Sequence, residues 1–237
     1  MGQRQLTATD GVTISAYEAM PAGTPKAGIV VIQEIFGVND HIRSVVDGYA
    51  EAGYAAIAPA IFDRVEPGVE LGYTAQDEFD KGLKLAFNDL KMPDTLLDLK
   101  AAVDAMSAHG KVGVVGYCFG GLLTWMSACE VDGVAAASAY YGGGIAGEAS
   151  RTARCPVMMH FGEKDAHIPM SDVETIRNAQ PDAQVFVYDA DHGFNCDVRA
   201  SYDAPSAATA RERTLAFFEK NLGGVEDFDK TVIMSSE

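Results

Sequence analysis

Short, nearly continuous apolar runs alternate along this chain with longer segments in which apolar residues return every three or four positions. "AGIVVIQ" (27–33), "YAAIAP" (54–59), "KVGVVG" (111–116), "VAAASAYYG" (134–142), "CPVMMHFG" (155–162) and "AQVFVYDA" (183–190) have the length and β-rich content of buried strands. Between them, "PDTLLDLKAAVDAMSAHG" (93–110) sets Leu96, Leu99, Val103 and Met106 on one helical stripe and stops at Gly110, the pattern of a crossover helix. The segment from Pro205 to Leu222 ends in "AFFEKNLGG", where Phe217 and Phe218 give it a face able to pack on a sheet. This alternation predicts a single α/β domain over residues 1–237, with a mostly parallel central sheet and helices on both faces. Residues 224–237, after Gly223, are expected to form a frayed tail.

Composition narrows the classes of partner. The chain is 48% hydrophobic and 22% charged, ordinary for a globular domain. No run approaches the roughly 18 apolar residues of a membrane span, and the start "MGQRQLTATDG" lacks the apolar stretch of a signal peptide. The expectation is a cytoplasmic protein with no membrane partner. A formal net charge of −16 repels nucleic acid, which is excluded as a partner for that reason. Cys118, Cys129, Cys155 and Cys196 have no CxxC spacing, so they are expected to be reduced thiols, with no metal and no cofactor.

One cysteine stands apart. Gly116 and Gly120 flank Cys118 in the pattern G-x-C-x-G, at the point where an apolar strand passes into "FGGLLTWMSA". This is the thiol form of the strand–turn–helix elbow that holds a nucleophile above a sheet. The bend brings strand and helix backbones close, which calls for small flanking residues. It also leaves the first helical amides free for a developing oxyanion, and the helix N-terminus favours a thiolate. A glycine-rich phosphate turn is the competing reading, but "GYCFGG" lacks the second glycine of G-x-G-x-x-G and places Phe119 where a phosphate would approach.

A nucleophile of this kind needs a base oriented by an acid, in the chain order nucleophile, acid, histidine. After the strand "CPVMMHFG" comes "EKDAHIP" with Asp165, and after "VFVYDA" comes "DHGF" with His192. Both fall on loops at strand ends. His160 lies inside a strand, His109 ends a helix, His41 opens another, and His167 is too near Asp165 in sequence to bridge it to the elbow. Asp189 and Asp191 are too close to His192 to fold back and orient its ring. The segment "VIQEIFGVNDHIRSV" leaves a strand at Gln33 and enters a helix near Asn39 or Asp40, placing Glu34, Ile35 and Phe36 over the same strand ends. The backbone N–H groups of Ile35 and Phe119 are the candidate oxyanion donors. Glu34 is read either as a solvated loop residue or helix-entry anion, or as a gate that bonds the neutral thiol at rest and later takes its proton.

Taken together, "QEIFGVN", "GKVGVVGYCFGG", "YYGGG", "HFGEKDAHIP" and "DHGF" resemble the dienelactone hydrolase family, carboxymethylenebutenolidase-like cysteine hydrolases of the α/β-hydrolase fold. The resemblance implies a Cys118, His192 and Asp165 triad, oxyanion amides at Ile35 and Phe119, and Glu34 as the thiol's proton partner. It implies metal-independent hydrolysis of a small lactone or ester through a thioester. Well-known members bind a substrate carboxylate through two arginines, and the matching places here hold Cys196 and Phe79. An apolar pocket of Phe36, Phe79, Phe119 and Tyr141 is therefore expected, with Arg64 or Arg199 as the available replacement charges, and a preference for neutral substrates. The expected state is a monomer or weak homodimer. The alternative reading is a thiol redox or peroxide sensor, with Cys129 and Cys196 as resolving partners for Cys118.

Overall fold

Eight strands, β1 (Gly2–Thr7), β2 (Thr13–Ala19), β3 (Gly28–Ile32), β4 (Ala55–Pro59), β5 (Val112–Tyr117), β6 (Val134–Tyr140), β7 (Val157–Gly162) and β8 (Gln184–Tyr188), make one sheet in this computed structural model, which describes residues 2–223. Their order is β1-β2-β4-β3-β5-β6-β7-β8. From β4 through β8 every neighbouring pair is parallel. Every residue of β3, β4, β5 and β7 is buried, which is why these strands read as unbroken apolar runs rather than alternating ones. The antiparallel hairpin β1–β2, which pairs with β4 at one edge, was not anticipated. Its signal is weak because β1 is largely exposed and β2 buries only Ile14, Ala16 and Ala19.

The helices are α1 (Asp40–Glu51), α2 (Gln76–Lys84), α3 (Met92–Met106), α4 (Phe119–Glu130), α5 (Met170–Ala179) and α6 (Ala204–Leu222). Successive strand residues point to opposite faces, and β5 shows what covers each. A side chain at Gly113 would meet Phe218 and Leu222 of α6, whereas one at Gly116 would meet Gly120 and Thr124 of α4. Helix α3 touches α4, and α1 lies beside α6, with Tyr49 and Phe218 ring centroids 6.3 Å apart. Both faces of the sheet are therefore covered. Leu96, Leu99, Val103 and Met106 are all buried, as their spacing predicted, and so are Phe217 and Phe218. Asn39 caps α1, its side chain accepting from the Ile42 amide at 3.2 Å. Among the described residues no helix is long and apolar enough to cross a membrane. The tail expected at 224–237 lies outside the described residues.

Candidate active site

Strand β5 ends at Tyr117 and α4 begins at Phe119, so Cys118 alone makes the turn. Its backbone is at φ 56°, a conformation costly for a residue with a side chain. The flanking glycines allow it. A Cβ on Gly116 would sit 2.0 Å from the Gly120 carbonyl oxygen, and one on Gly120 would sit 2.3 Å from that of Ile32. Any side chain at either position would push α4 off the sheet, which explains the G-x-C-x-G spacing. The Cys118 amide donates to the Tyr140 carbonyl at 3.0 Å, holding the turn against β6. The Phe119 amide, at the first helical position, has no backbone acceptor, and neither does that of Ile35.

Asp165 follows β7 and His192 follows β8, both on loops at the strand ends that also carry Cys118. Asp165 is buried, and its two carboxylate oxygens are both used. Oδ1 accepts from the His167 amide at 2.8 Å, and Oδ2 lies 2.6 Å from His192 Nδ1. The first bond fixes the carboxylate and the second fixes the imidazole. With the proton on Nδ1 donated to Asp165, Nε2 is the nitrogen that can take a second proton. Burial lowers the pKa of His192, but the Asp165 carboxylate and the Cys118 sulfur raise it more, to about 10. The ring also packs at 5.1 Å from Tyr141 and 5.3 Å from His167, centroid to centroid.

Glu34 lies on the loop between β3 and α1, fully buried. Gly37 anchors this loop: at φ 80°, its position would place a Cβ 2.0 Å from the Val69 carbonyl oxygen, which no other residue could accept. Tyr73 donates its hydroxyl to Glu34 Oε2 at 2.7 Å, and Arg199 Nη1 approaches Oε1 at 3.4 Å. No hydrogen bond joins the Cys118 thiol to Glu34, whose carboxylate oxygens face Tyr73 and Arg199.

A cavity of about 330 Å³ joins these parts. Cys118, His192, His167 and Arg199 line it together with Ile35, Phe36, Phe79, Leu83, Phe87, Phe119 and Leu122. Phe87, on the turn after α2, packs edge-on to Phe119 with centroids 5.2 Å apart.

The Dienelactone hydrolase family profile matches residues 14–222. The chain belongs to the dienelactone hydrolase family. It is 39% identical over 230 residues to a protein of Synechocystis sp. provisionally named a carboxymethylenebutenolidase, across 88% of this chain and 92% of that one. It is 34% identical over 218 residues to the carboxymethylenebutenolidase of Pseudomonas putida, again across 88% and 92%. The crystal structure of a provisionally named dienelactone hydrolase from Klebsiella pneumoniae superposes with a TM-score of 0.80 at 30% identity, covering 92% of this chain and 98% of the other. The fold is the α/β-hydrolase fold of that family.

Against the family pattern, two expected pocket residues are elsewhere. Arg64 does not line the cavity; its Nε and Nη2 each bond Asp98 at 2.8 Å, and its Nη1 bonds Asp10 at 2.7 Å. Asp98 is completely buried in α3, and a buried carboxylate without a partner is strongly destabilising, so this arginine is committed to structure. Tyr141 is completely buried too, and packs behind His192 rather than facing substrate. Its φ of 36° turns the chain at the end of β6 and carries the ring inward against Phe194. Arg199 does face the cavity. Cys129 stands near the far end of α4, about 16 Å along the helix from Cys118, too far for a disulfide between the two in this fold. His167, Leu83, Phe87, Leu122 and Tyr73 were missed. His167 alone had a signal, since it shares the loop with Asp165.

Proposed function

We propose that this protein hydrolyses a small, largely apolar lactone or carboxylic ester through a thioester on Cys118. The observation that carries this reading is the shared cavity: Cys118 on its strained turn, and His192 held by Asp165 at 2.6 Å. Family membership supports the same reaction class, and the names of the relatives point to a lactone.

The chemistry follows from the groups in place. His192 Nε2 takes the thiol proton, and the resulting imidazolium is stabilised by the Asp165 carboxylate. The thiolate attacks the carbonyl carbon, and the oxyanion that forms accepts from the Ile35 and Phe119 amides, which have no competing backbone acceptor. The imidazolium then gives its proton to the leaving oxygen as the C–O bond breaks, leaving acyl-Cys118. Water, deprotonated by His192, attacks the thioester and returns the thiol. In a lactone the leaving alkoxide or enolate stays attached to the acyl group, so ring opening yields one hydroxy- or oxo-acid product.

Glu34 balances the charge of Arg199 beside the thiol, so the cavity carries little net charge for an anionic substrate to seek. Together with the aromatic lining, this supports neutral substrates. The raised thiol values of Cys129 and Cys196, about 11 and about 12, weigh against the peroxide-sensor alternative, which needs a second reactive thiol.

The test is a small aryl ester with intact-mass detection. Acid quench during turnover should trap one acyl group, mapping to Cys118. Cys118→Ala should keep its circular dichroism spectrum and lose both label and turnover. Undiminished hydrolysis by that variant would end the proposal.

A further inference from the structure

Beneath the cavity, three side chains from distant parts of the chain converge. Glu34 comes from the loop after β3, His41 from the first turn of α1, and Cys196 from the loop after β8. A carboxylate oxygen, an imidazole nitrogen and the sulfur all lie within 4.8 Å of one another, and all three residues are buried. The proposed hydrolysis uses only Glu34.

His41 is the informative member. It is 6% exposed, its Nδ1 lies 3.2 Å from Asp197 Oδ1, and its Nε2 is buried without any hydrogen-bond partner. Buried polar atoms are nearly always paired, so an orphan of this kind asks for a missing ligand. With the Nδ1 proton donated to Asp197, Nε2 is the ring nitrogen left with a free lone pair, and the imidazole stands beside Glu34 and Cys196. A histidine oriented by an outer carboxylate in this way is the usual arrangement of a metal-ligating imidazole.

We propose that Glu34, His41 Nε2 and Cys196 Sγ bind one late first-row divalent cation of the zinc class, with water as fourth ligand. The mixed oxygen, nitrogen and sulfur set selects zinc, cobalt or nickel over magnesium and calcium, which take oxygen ligands. Zinc bonds of about 2.0–2.3 Å imply ligand-to-ligand spans near 3.5 Å, so atoms within 4.8 Å of one another need draw in by no more than about 1.3 Å. On binding, the Cys196 thiol releases its proton to solvent as the sulfur–metal bond forms. The thiolate and the Glu34 carboxylate then balance the two charges of the cation. Arg199 is the cation facing this trio, and the metal takes Glu34 from it. A second cavity of about 380 Å³, lined by His41, Asp197, Asn195 and Tyr202 among others, offers an approach that avoids the substrate cavity.

Because Glu34 is shared, cation binding lowers ester turnover; this consequence rests on the hydrolase reading, while the site itself does not. The test of the site uses protein stripped of metal with a chelator and carrying Cys118→Ala, so that the elbow thiol contributes nothing, titrated with cobalt chloride. One cobalt per chain is expected, with thiolate-to-cobalt charge-transfer absorption and the visible bands of a tetrahedral ion. Adding Cys196→Ser removes the charge-transfer band; adding Cys129→Ser leaves it intact. His41→Gln and Asp197→Asn each weaken binding at least about tenfold, the latter by the usual effect of an outer partner. Circular dichroism verifies the fold of each variant, and should Cys196→Ser fail to fold, the His41 and Asp197 variants decide. No band, or a band that survives Cys196→Ser, overturns the site. In protein with Cys118 intact, zinc should inhibit ester hydrolysis and spare His41→Gln. Equal inhibition of both assigns the effect to Cys118 and overturns the regulatory consequence. An inactive protein with the cobalt band intact would sink the hydrolase reading and leave the site standing.

Discussion

His192 and His160 are both buried, both sit at the β6–β8 side of the sheet, and carry opposite electrostatics. His160 lies within β7, opposite Tyr140 on β6 and Phe186 on β8. Its Nδ1 bonds the Tyr188 hydroxyl at 2.8 Å and its Nε2 bonds Thr214 at 3.0 Å. Only hydroxyls face it, with Arg213 nearby, so burial and that positive charge hold its pKa down at about 3. His192 meets a carboxylate on one side and a thiol on the other, and is pushed up to about 10 against the same burial. Burial expels a charge unless an anion is built in to receive it. One histidine is a neutral strut; the other can hold a proton and hand it on.

The sharpest way to break this contrast is to substitute both. His192→Asn is expected to cost at least about 10³-fold in kcat for an aryl ester, as loss of a triad base generally does. His160→Asn should leave kcat within about threefold and show itself as a lower melting temperature, since it removes only buried hydrogen bonds. Comparable kcat losses in the two variants would erase the distinction. Asp165→Asn comes next, with a loss of about 10²–10⁴-fold. It removes the carboxylate that raises His192, so the alkaline limb of kcat/KM, expected near pH 10, should move by about one pH unit or more toward neutrality. A limb that stays in place would show that the thiol, and not Asp165, sustains the imidazolium. Arg199→Gln tests the charge balance around the same thiol. For a pair of esters differing by one carboxylate, the wild type should prefer the neutral member. The variant should lose about tenfold on the carboxylated one alone, the usual scale for a charged hydrogen bond in a partly buried site.

What could be read from the chain was what local geometry dictates. Gly116, Cys118 and Gly120 announce the elbow because the close approach they permit involves neighbours in sequence. Asp165 and His192 could be placed because each directly follows an apolar run, and the ends of parallel strands converge. Arg64 could not be, since nothing near "FDRVE" signals Asp98 on a later helix. Tyr141 misled for a similar reason: an aromatic at a strand end reads as pocket lining until its backbone turn sends the ring inward. The expectation of no metal rested on the lack of CxxC spacing, which says nothing about side chains gathered from two loops and a helix, such as Glu34, His41 and Cys196. The β1–β2 hairpin escaped because half-exposed edge strands carry little apolar periodicity.

The smallest expected effect lies in stability, and it isolates the neutral histidine. In the unfolded chain His160 takes a proton near pH 6.5, whereas in the fold it does so only near pH 3. Between these values the unfolded state binds more protons, so stability falls as pH drops through this window and is insensitive to this group above it. At pH 5 the deficit is about 2 kcal/mol relative to pH 8. His160→Gln removes the titration while keeping one donor and one acceptor for Tyr188 and Thr214. At pH 8 it should be less stable than wild type by about 1 kcal/mol, the price of poorer hydrogen-bond geometry. Because only the wild type loses about 2 kcal/mol to this proton on acidification, the two urea midpoints should cross near pH 6, and by pH 5 the variant should be the more stable by about 1 kcal/mol. Midpoints that keep a constant separation from pH 8 to pH 5 would mean that His160 ionises normally in the fold, and that burial without an anion is not what divides the two histidines.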